Sequence, residues 1–192
     1  QLGLFTGMRR GEICGLRWSD IDFNASTISV NRTVEYIPHE GLIFTAPKTK
    51  ASNRTFKVGA NCMDMLREYQ LYQKAERLRV GSMWARTVQV ENDLLFTSWD
   101  GTPFDLERLT TWFPHFLRAH DLPAVHFHSL RHTYASLMIA AHVPITTVSG
   151  RLGHAQTSTT TDIYAGFIRT ADAAASDTME IIFDNIREKS RA

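Results

Sequence analysis

The sequence predicts an α+β fold class: a mainly α-helical domain with a small three-stranded antiparallel sheet. Between Thr27 and Val58 the apolar residues recur with a period of two, and the segments PHEG and PKTK supply turn residues between the runs. Elsewhere the apolar residues recur with helical spacing. The chain has 192 residues, 43% of them apolar, which is enough to bury the core of one domain.

The first helices and the sheet are predicted in the N-terminal half. A short helix ends at a turn at Thr6 and Gly7, and a second helix begins near Arg10 with Ile13 and Leu16 on one side. Three runs then read as strands, STISVNRTVEYI, GLIFTA and NRTFKV. Strong helix formers over residues 61–80 predict the next, longer helix.

The C-terminal half is predicted to be helical. One helix covers Leu106 to Ala119, a second follows Pro123 and stops at Pro144, and a third, ITTVSGRL, ends at Gly153. Ser158 is a candidate N-cap for the short segment after it, and residues 172–192 form a last helix with one apolar face. The helix before Pro144 has an apolar stripe at helical spacing: Leu130, Tyr134, Leu137, Met138 and Ala141.

Composition excludes several classes of protein. No apolar run is long enough to cross a bilayer and no secretory signal is visible, so we expect a cytoplasmic protein. Cys14 and Cys62 lie far apart without a CxxC pattern, which indicates small core residues rather than a disulfide or a zinc ribbon. The net charge is only +1, but residues 44–58 carry four basic residues and no acid, while acids gather near the C-terminus.

Three separate segments combine a fixed backbone with groups that bind phosphate. In TGMRRGE a glycine turn puts Arg9 at a helix start, where a guanidinium can make two parallel hydrogen bonds to a phosphate. The alternative is a surface pair with Glu12, three residues on. In HSLRH, His128 and Arg131 are three apart at a helix start and can address one point in space.

The third segment is LGHAQTSTTTDIYAGF. His154 follows Gly153 on a sharp turn, and Tyr164 comes ten residues later. Because tyrosine has an ordinary pKa of about 10, a nucleophilic role requires cationic neighbours or a base. The arginines and histidines of the other two segments are neighbours of that kind.

Taken together, the three segments resemble the catalytic domain of the tyrosine recombinases, the phage integrase family, over nearly the whole chain. TGMRRGEICGLRWSDID is similar to the family's first arginine box, FHSLRHTYASLMI to its H-x-x-R box, and VSGRLGHAQTSTTTDIYAG to its histidine and tyrosine box. APKTKASNRTF stands where the family has a lysine-bearing hairpin. Three departures are Ser129, where an acid is common, His142, where a glycine often precedes VP, and Gly150 inside a short helix.

The resemblance implies a fold, a reaction and a set of catalytic residues. The expected fold is that of the DNA breaking and rejoining enzymes, and the expected reaction forms a 3′-phosphotyrosyl bond without metal or nucleotide cofactor. Arg9 and Arg131 would clamp the scissile phosphate, His154 would donate a hydrogen bond to it, and Tyr164 would be the nucleophile.

The remaining predicted site residues concern proton transfer and DNA contacts. His128 would assist proton transfer, and Lys48 would protonate the leaving 5′ oxygen, with Lys50 as its competitor. The basic residues expected to contact DNA are Arg10, Lys50, Arg54 and Lys57.

The resemblance also implies how the domain is used. Residues 1–192 are expected to be the catalytic domain of a longer protein, without its N-terminal core-binding domain. The expected partner is double-stranded DNA, with a homo-tetramer assembled on it and a monomer for the isolated fragment. The predicted helix over 172–192 packs either in cis or on a neighbouring protomer, and both alternatives stay open.

Three other functions compete with integration or excision of a phage or mobile element. One is an inactive DNA-binding relic, and another is relaxation of DNA in the manner of a type IB topoisomerase. A metal site is disfavoured because no acidic or cysteine ligand accompanies the histidines at the usual spacings. Those histidines are His126, His128, His132 and His154.

Overall fold

A computed structural model describes residues 1–47, 49–85, 93–156, 158 and 160–161. The predictions for Lys48, Tyr164 and the last helix over 172–192 fall outside the described residues. In the described part the fold is the expected mixture of helices and small antiparallel sheets.

The N-terminal helices confirm the predicted turn. Helix α1 covers Leu2–Thr6 and ends at Gly7, whose φ of +64° is left-handed. A Cβ at Gly7 would lie 2.5 Å from the Tyr134 ring and 2.8 Å from the Leu152 side chain, so only glycine allows this close approach to the C-terminal helices. Helix α2 covers Arg10–Gly15.

The strands in the described residues form two sheets, and all pairings among these strands are antiparallel. Strands β1 (Ile21–Asp22), β2 (Thr27–Val30) and β5 (Arg54–Lys57) form a three-stranded sheet in the order β1-β2-β5. Strands β3 (Thr33–Ile37) and β4 (Gly41–Thr45) form a separate pair.

A three-stranded sheet is therefore present, but its strands are not the predicted ones. The run STISVNRTVEYI splits between β2 and β3 and contributes to both sheets. The Asn31 amide donates to Asp20 at 2.7 Å, and the Arg32 Nε donates to the Gly15 carbonyl oxygen at 2.6 Å. These long-range bonds direct β3 away from β2 and against α2, which the period of two cannot reveal.

Four longer helices complete the described fold: α3 (Ala60–Val80), α4 (Leu106–Ala119), α5 (Ser129–Ala140) and α6 (Ile145–Leu152). The bounds of α4 and α6 are the predicted ones. Gly153 ends α6 with a φ of +69°. His142, between α5 and α6, stands where the family often has a glycine and has the left-handed φ of +58° that glycine adopts easily.

The apolar stripe predicted for α5 is wrong in part. Leu137 is 63% exposed, and Ala141 is exposed too. Tyr134 is buried as predicted, and Ala135 and Ile139 are buried beside it on the face that contacts α1 and α6. The buried face is rotated because Arg131, at 4% exposure, occupies part of it.

In the described residues the core has a large cluster between the N-terminal helices, the three-stranded sheet and α3, and a smaller one between α5 and α6. A third cluster lies between α2, β3 and α4 and includes Cys14. Cys14 and Cys62 are free and buried, as predicted for core residues. Within the part of the chain that the structure describes, no helix is long and apolar enough to cross a membrane.

Candidate active site

The end of helix α6 brings the predicted phosphate-binding residues together. The last carbonyl groups of a helix lack intrahelical partners and carry its negative dipole end, so they attract cations. Three guanidinium groups donate to three successive carbonyl oxygens here: Arg54 to residue 151 at 2.6 Å, Arg131 to residue 152 at 2.7 Å and Arg9 to residue 153 at 3.4 Å.

Arg131 lies in the first turn of α5 and is almost completely buried. Its Nη1 donates to the Gly7 carbonyl oxygen at 2.8 Å, and its Nη2 donates to that of Leu152. One side chain thus joins the turn after α1 to the end of α6. A buried guanidinium held at two points is a rigid donor.

Arg9 directly precedes α2, and its side chain is 39% exposed. Its Nη1 donates to Glu12 Oε1 at 2.9 Å, while its backbone N–H donates to Glu12 Oε2 at 2.8 Å. The predicted alternative pairing with Glu12 is therefore present. Glu12 is only 3% exposed, however, so the pair is not a weak, solvated one.

Arg54 completes this ion-pair group. Its Nη1 and Nη2 donate to the two carboxylate oxygens of Glu12 at 3.0 and 2.9 Å, and its side chain is 7% exposed. Burial alone would raise the pKa of Glu12, but the hydrogen bonds and charge of Arg54, and then Arg9, hold it below its ordinary value. Sequence reasoning missed this pair because its members are 42 residues apart and share no local pattern.

His154 follows Gly153 at the same helix end. Its Nδ1 lies 2.7 Å from the hydroxyl oxygen of Thr160, which is fully buried. Burial, and then the charges of Arg131, Arg9 and Arg54, lower the pKa of His154 to about 4. The imidazole is therefore neutral at pH 7, and Thr160 is an orienting partner that sequence reasoning also missed.

His128 lies at the start of α5, on the other side of Arg9. Its ring is 5.1 Å from the His132 ring, edge to face. Burial, and then the charges of His132, Arg131 and Arg9, lower the pKa of His128. Arg9 and His128 line one cleft of about 680 Å³, and Arg9 and His154 line a second of about 370 Å³.

The basic residues expected to contact DNA occupy different environments. Lys50, in the turn between β4 and β5, and Lys57, at the end of β5, are exposed. Arg10 is exposed but donates to the Thr110 hydroxyl in α4. Arg54 is buried against Glu12, which leaves its guanidinium little capacity for a DNA phosphate.

The described residues bring Arg9, Arg131 and His154 to one helix end, with His128 beside them. Among the described residues no group of three or more histidine, cysteine or acidic side chains is placed to hold a metal ion. Cationic, preorganised donors of this kind stabilise negative charge on a phosphate or a similar oxyanion.

Two buried arginines and a half-exposed one beside a neutral histidine, on a mainly helical α+β domain, make a cationic site suited to an oxyanion. The model of the phage integrase family matches residues 1–167, and the chain belongs to this family.

Relatives of known sequence support the assignment. A tyrosine recombinase XerC-like protein of Caldanaerobacter subterraneus subsp. tengcongensis is 34% identical over 190 residues, which cover 95% of this chain and 48% of that protein. The ICEBs1 integrase of Bacillus subtilis is 26% identical over 163 residues, covering 85% of this chain and 42% of that protein. The chain spans about half the length of these relatives.

Solved structures support the fold. The XerA recombinase is 25% identical with a TM-score of 0.64, covering 90% of this chain and 53% of that one. The Tn1549 transposon integrase in complex with transposon right end DNA has a TM-score of 0.72 at 20% identity, covering 85% of this chain and 52% of that one. The expected recombinase fold is thereby confirmed.

Proposed function

We propose that this chain is the catalytic domain of a site-specific recombinase that cleaves and rejoins DNA by transesterification. The observation that carries the proposal is the meeting of Arg9, Arg131 and His154 at the end of α6. Arg9 and the turn it contacts are 144 residues apart in sequence. Membership of the phage integrase family supports the same reaction.

In the proposed reaction the Tyr164 oxygen attacks the scissile phosphorus. A 3′-phosphotyrosyl bond forms, the bond from phosphorus to the 5′ oxygen breaks, and Lys48, or Lys50 as its competitor, gives that oxygen a proton. The 5′-hydroxyl of a partner strand then attacks the phosphotyrosine and restores the tyrosine. One phosphodiester replaces another at each step, so neither ATP nor a metal cofactor is required.

Arg9, Arg131 and His154 would stabilise the charge that develops on the phosphate oxygens. Loss of one such preorganised donor typically lowers the rate by ~10²–10³. In the proposed tautomer the Thr160 hydroxyl donates to Nδ1, and the neutral His154 carries its proton on Nε2, from which it can donate to the phosphate. His128, whose pKa is lowered, is a neutral acceptor suited to the tyrosine proton.

The proposed substrate is double-stranded DNA, bound by a homo-tetramer in the cytoplasm. Relatives carry the names ICEBs1 integrase, integrase of Staphylococcus phage L54a and transposase A of Tn554. These names favour integration or excision of a phage or other mobile element as the biological role.

The test uses a pool of labelled duplexes of randomised sequence, each with a nick that lets the cleaved fragment diffuse away. The wild-type chain is expected to form adducts that survive denaturing electrophoresis and excess EDTA, and sequencing the attached DNA identifies the site. Tyr164→Phe is expected to bind DNA without forming an adduct. An adduct in Tyr164→Phe, or strict dependence on a divalent ion, would overturn the mechanism.

Two other outcomes distinguish the competing functions. Retardation of DNA without any wild-type adduct would favour an inactive relic. Relaxation of a supercoiled plasmid without strand exchange would favour a topoisomerase.

A further inference from the structure

We propose that Arg54 is a positioning residue for the active site: with Glu12 it fixes Arg9 and the turn that carries His154. This inference rests on the proposed function, because it assigns Arg54 a part in the same reaction. It replaces the expectation that Arg54 binds DNA directly.

Every nitrogen of the Arg54 guanidinium is engaged. Nε donates to the carbonyl oxygen of Arg151, Nη1 to Ser52 and Glu12, and Nη2 to Glu12. The side chain therefore joins three elements: the turn between β4 and β5, helix α2 and the end of α6. That turn also contains Lys50, one of the two candidates for the catalytic lysine.

Glu12 transmits the position of Arg54 to Arg9. Each carboxylate oxygen accepts from both arginines: Oε1 from the Nη1 atoms of Arg9 and Arg54, and Oε2 from the Arg9 backbone N–H and the Arg54 Nη2. The planar guanidinium of Arg54 donates through both Nη atoms and so sets the plane of the Glu12 carboxylate. Without the Arg54 guanidinium, the Glu12 carboxylate can rotate. The Arg9 side chain then loses the acceptor that fixes its position.

Gly153 transmits the position of Arg54 to His154. A Cβ at Gly153 would lie 2.8 Å from Arg54 Nη1 and 3.1 Å from the Ala51 carbonyl oxygen, so the turn packs directly on the guanidinium. Arg151 makes the reciprocal contact, since its Nη2 donates to the Lys57 carbonyl oxygen at 2.9 Å. Strand β5 and the end of α6 are thus held by two arginines, one from each element.

The test compares Arg54→Met and Arg54→Lys with the wild type and with the control Arg79→Met. Arg79 is an exposed arginine on α3 that pairs with Glu76, far from this group in sequence. Single-turnover adduct formation is measured on the DNA sequence recovered from the wild-type adducts, beside DNA affinity and thermal unfolding. The His154 imidazole is titrated by NMR in the absence of DNA.

Arg54→Met is expected to slow adduct formation by on the order of 10²-fold, as for a small misplacement of reacting groups, with a much smaller change in DNA affinity. The His154 titration midpoint should rise from about 4, because one of the charges that lowers it is gone. Arg54→Lys keeps the charge without the fork, so its rate should recover only in part. Arg79→Met should match the wild type in every measurement.

Because Arg54→Met leaves the buried Glu12 with one partner fewer, the double variant Glu12→Gln with Arg54→Met separates folding from positioning. It removes both charges and is expected to fold but to remain slow. Wild-type rates in the folded Met or double variant, or full recovery in Arg54→Lys, would overturn the proposal. A wild type that forms no adduct would instead overturn the proposed function. In that case, NMR signals of Arg9 and His154 that are the same in the double variant as in Arg79→Met would still refute positioning by Arg54.

Discussion

At the scale of single residues, the charges around His154 determine its protonation. The pKa of about 4 follows from burial and from Arg131, Arg9 and Arg54, all of which disfavour a further positive charge. A bound phosphate would supply the opposite charge at the same place. Protonation and DNA binding should then favour each other.

We predict that DNA raises the pKa of His154. A group whose pKa rises on binding takes up a proton, so affinity should increase as the pH falls through the window between the bound value and about 4. NMR titration of Tyr164→Phe with and without DNA measures both values, since this variant should not cleave. An equal or lower midpoint with DNA would contradict contact between His154 and a phosphate.

The identities of site residues could be predicted where the residues lie in a motif. Their hydrogen-bond and ion-pair partners in other segments could not. Arg9, Arg131 and His154 were singled out from short segments, and the structure brings them together. For Arg54, the basic run without acids over residues 44–58 predicts a DNA contact at the surface. Its partner Glu12 lies in another segment, and only the folded chain shows that it is buried.

At the scale of elements, the end of α6 depends on glycine for two reasons. Gly153 has a left-handed φ of +69°, and its missing side chain makes room for Arg54. Gly150 lies in the same helix, exposed and with nothing within 4 Å of an added Cβ. Gly150 is therefore a matched control position for a substitution of Gly153.

We predict that alanine has opposite effects at these two positions. Gly153→Ala should lower the free energy of unfolding by about 1–2 kcal/mol from the left-handed backbone alone, and should also slow adduct formation by displacing Arg54. Gly150→Ala should raise the free energy of unfolding by about 0.5–1 kcal/mol, since alanine is the better helix former. Denaturant unfolding measures both, and a stabilised Gly153→Ala would contradict the packing described for α6.

Elements ended by local signals were predictable, and those shaped by distant contacts were not. Helix α6 begins after Pro144 and ends at Gly153, where proline and glycine indicate, and α4 begins after the capping residue Asp105. The sheet divides at Asn31 and Arg32 because their side chains bond to Asp20 and Gly15, and α5 turns Arg131 inward to reach two carbonyl groups. The division of the sheet and the inward position of Arg131 both depend on distant partners that the periodicity of the sequence does not reveal.

At the scale of the whole molecule, a net charge of +1 does not favour nucleic acid binding by itself. The arginines at the end of α6 are largely engaged with carbonyl oxygens and with Glu12. Under the proposed function, long-range attraction to DNA would come from exposed lysines such as Lys50 and Lys57. Buried and exposed cations should therefore differ in how strongly they make the affinity for DNA depend on salt concentration.

We predict that Lys50→Gln and Lys57→Gln each reduce the slope of log affinity against log salt by about 1, the value for one lost phosphate contact. The loss should be similar on specific and random DNA, because phosphate contacts carry no sequence information. Arg54→Met should leave the slope unchanged, since its charge is buried and paired with Glu12. Titration of labelled DNA over a series of salt concentrations measures the slopes. A reduced slope in Arg54→Met alone would indicate that Arg54 contacts DNA directly.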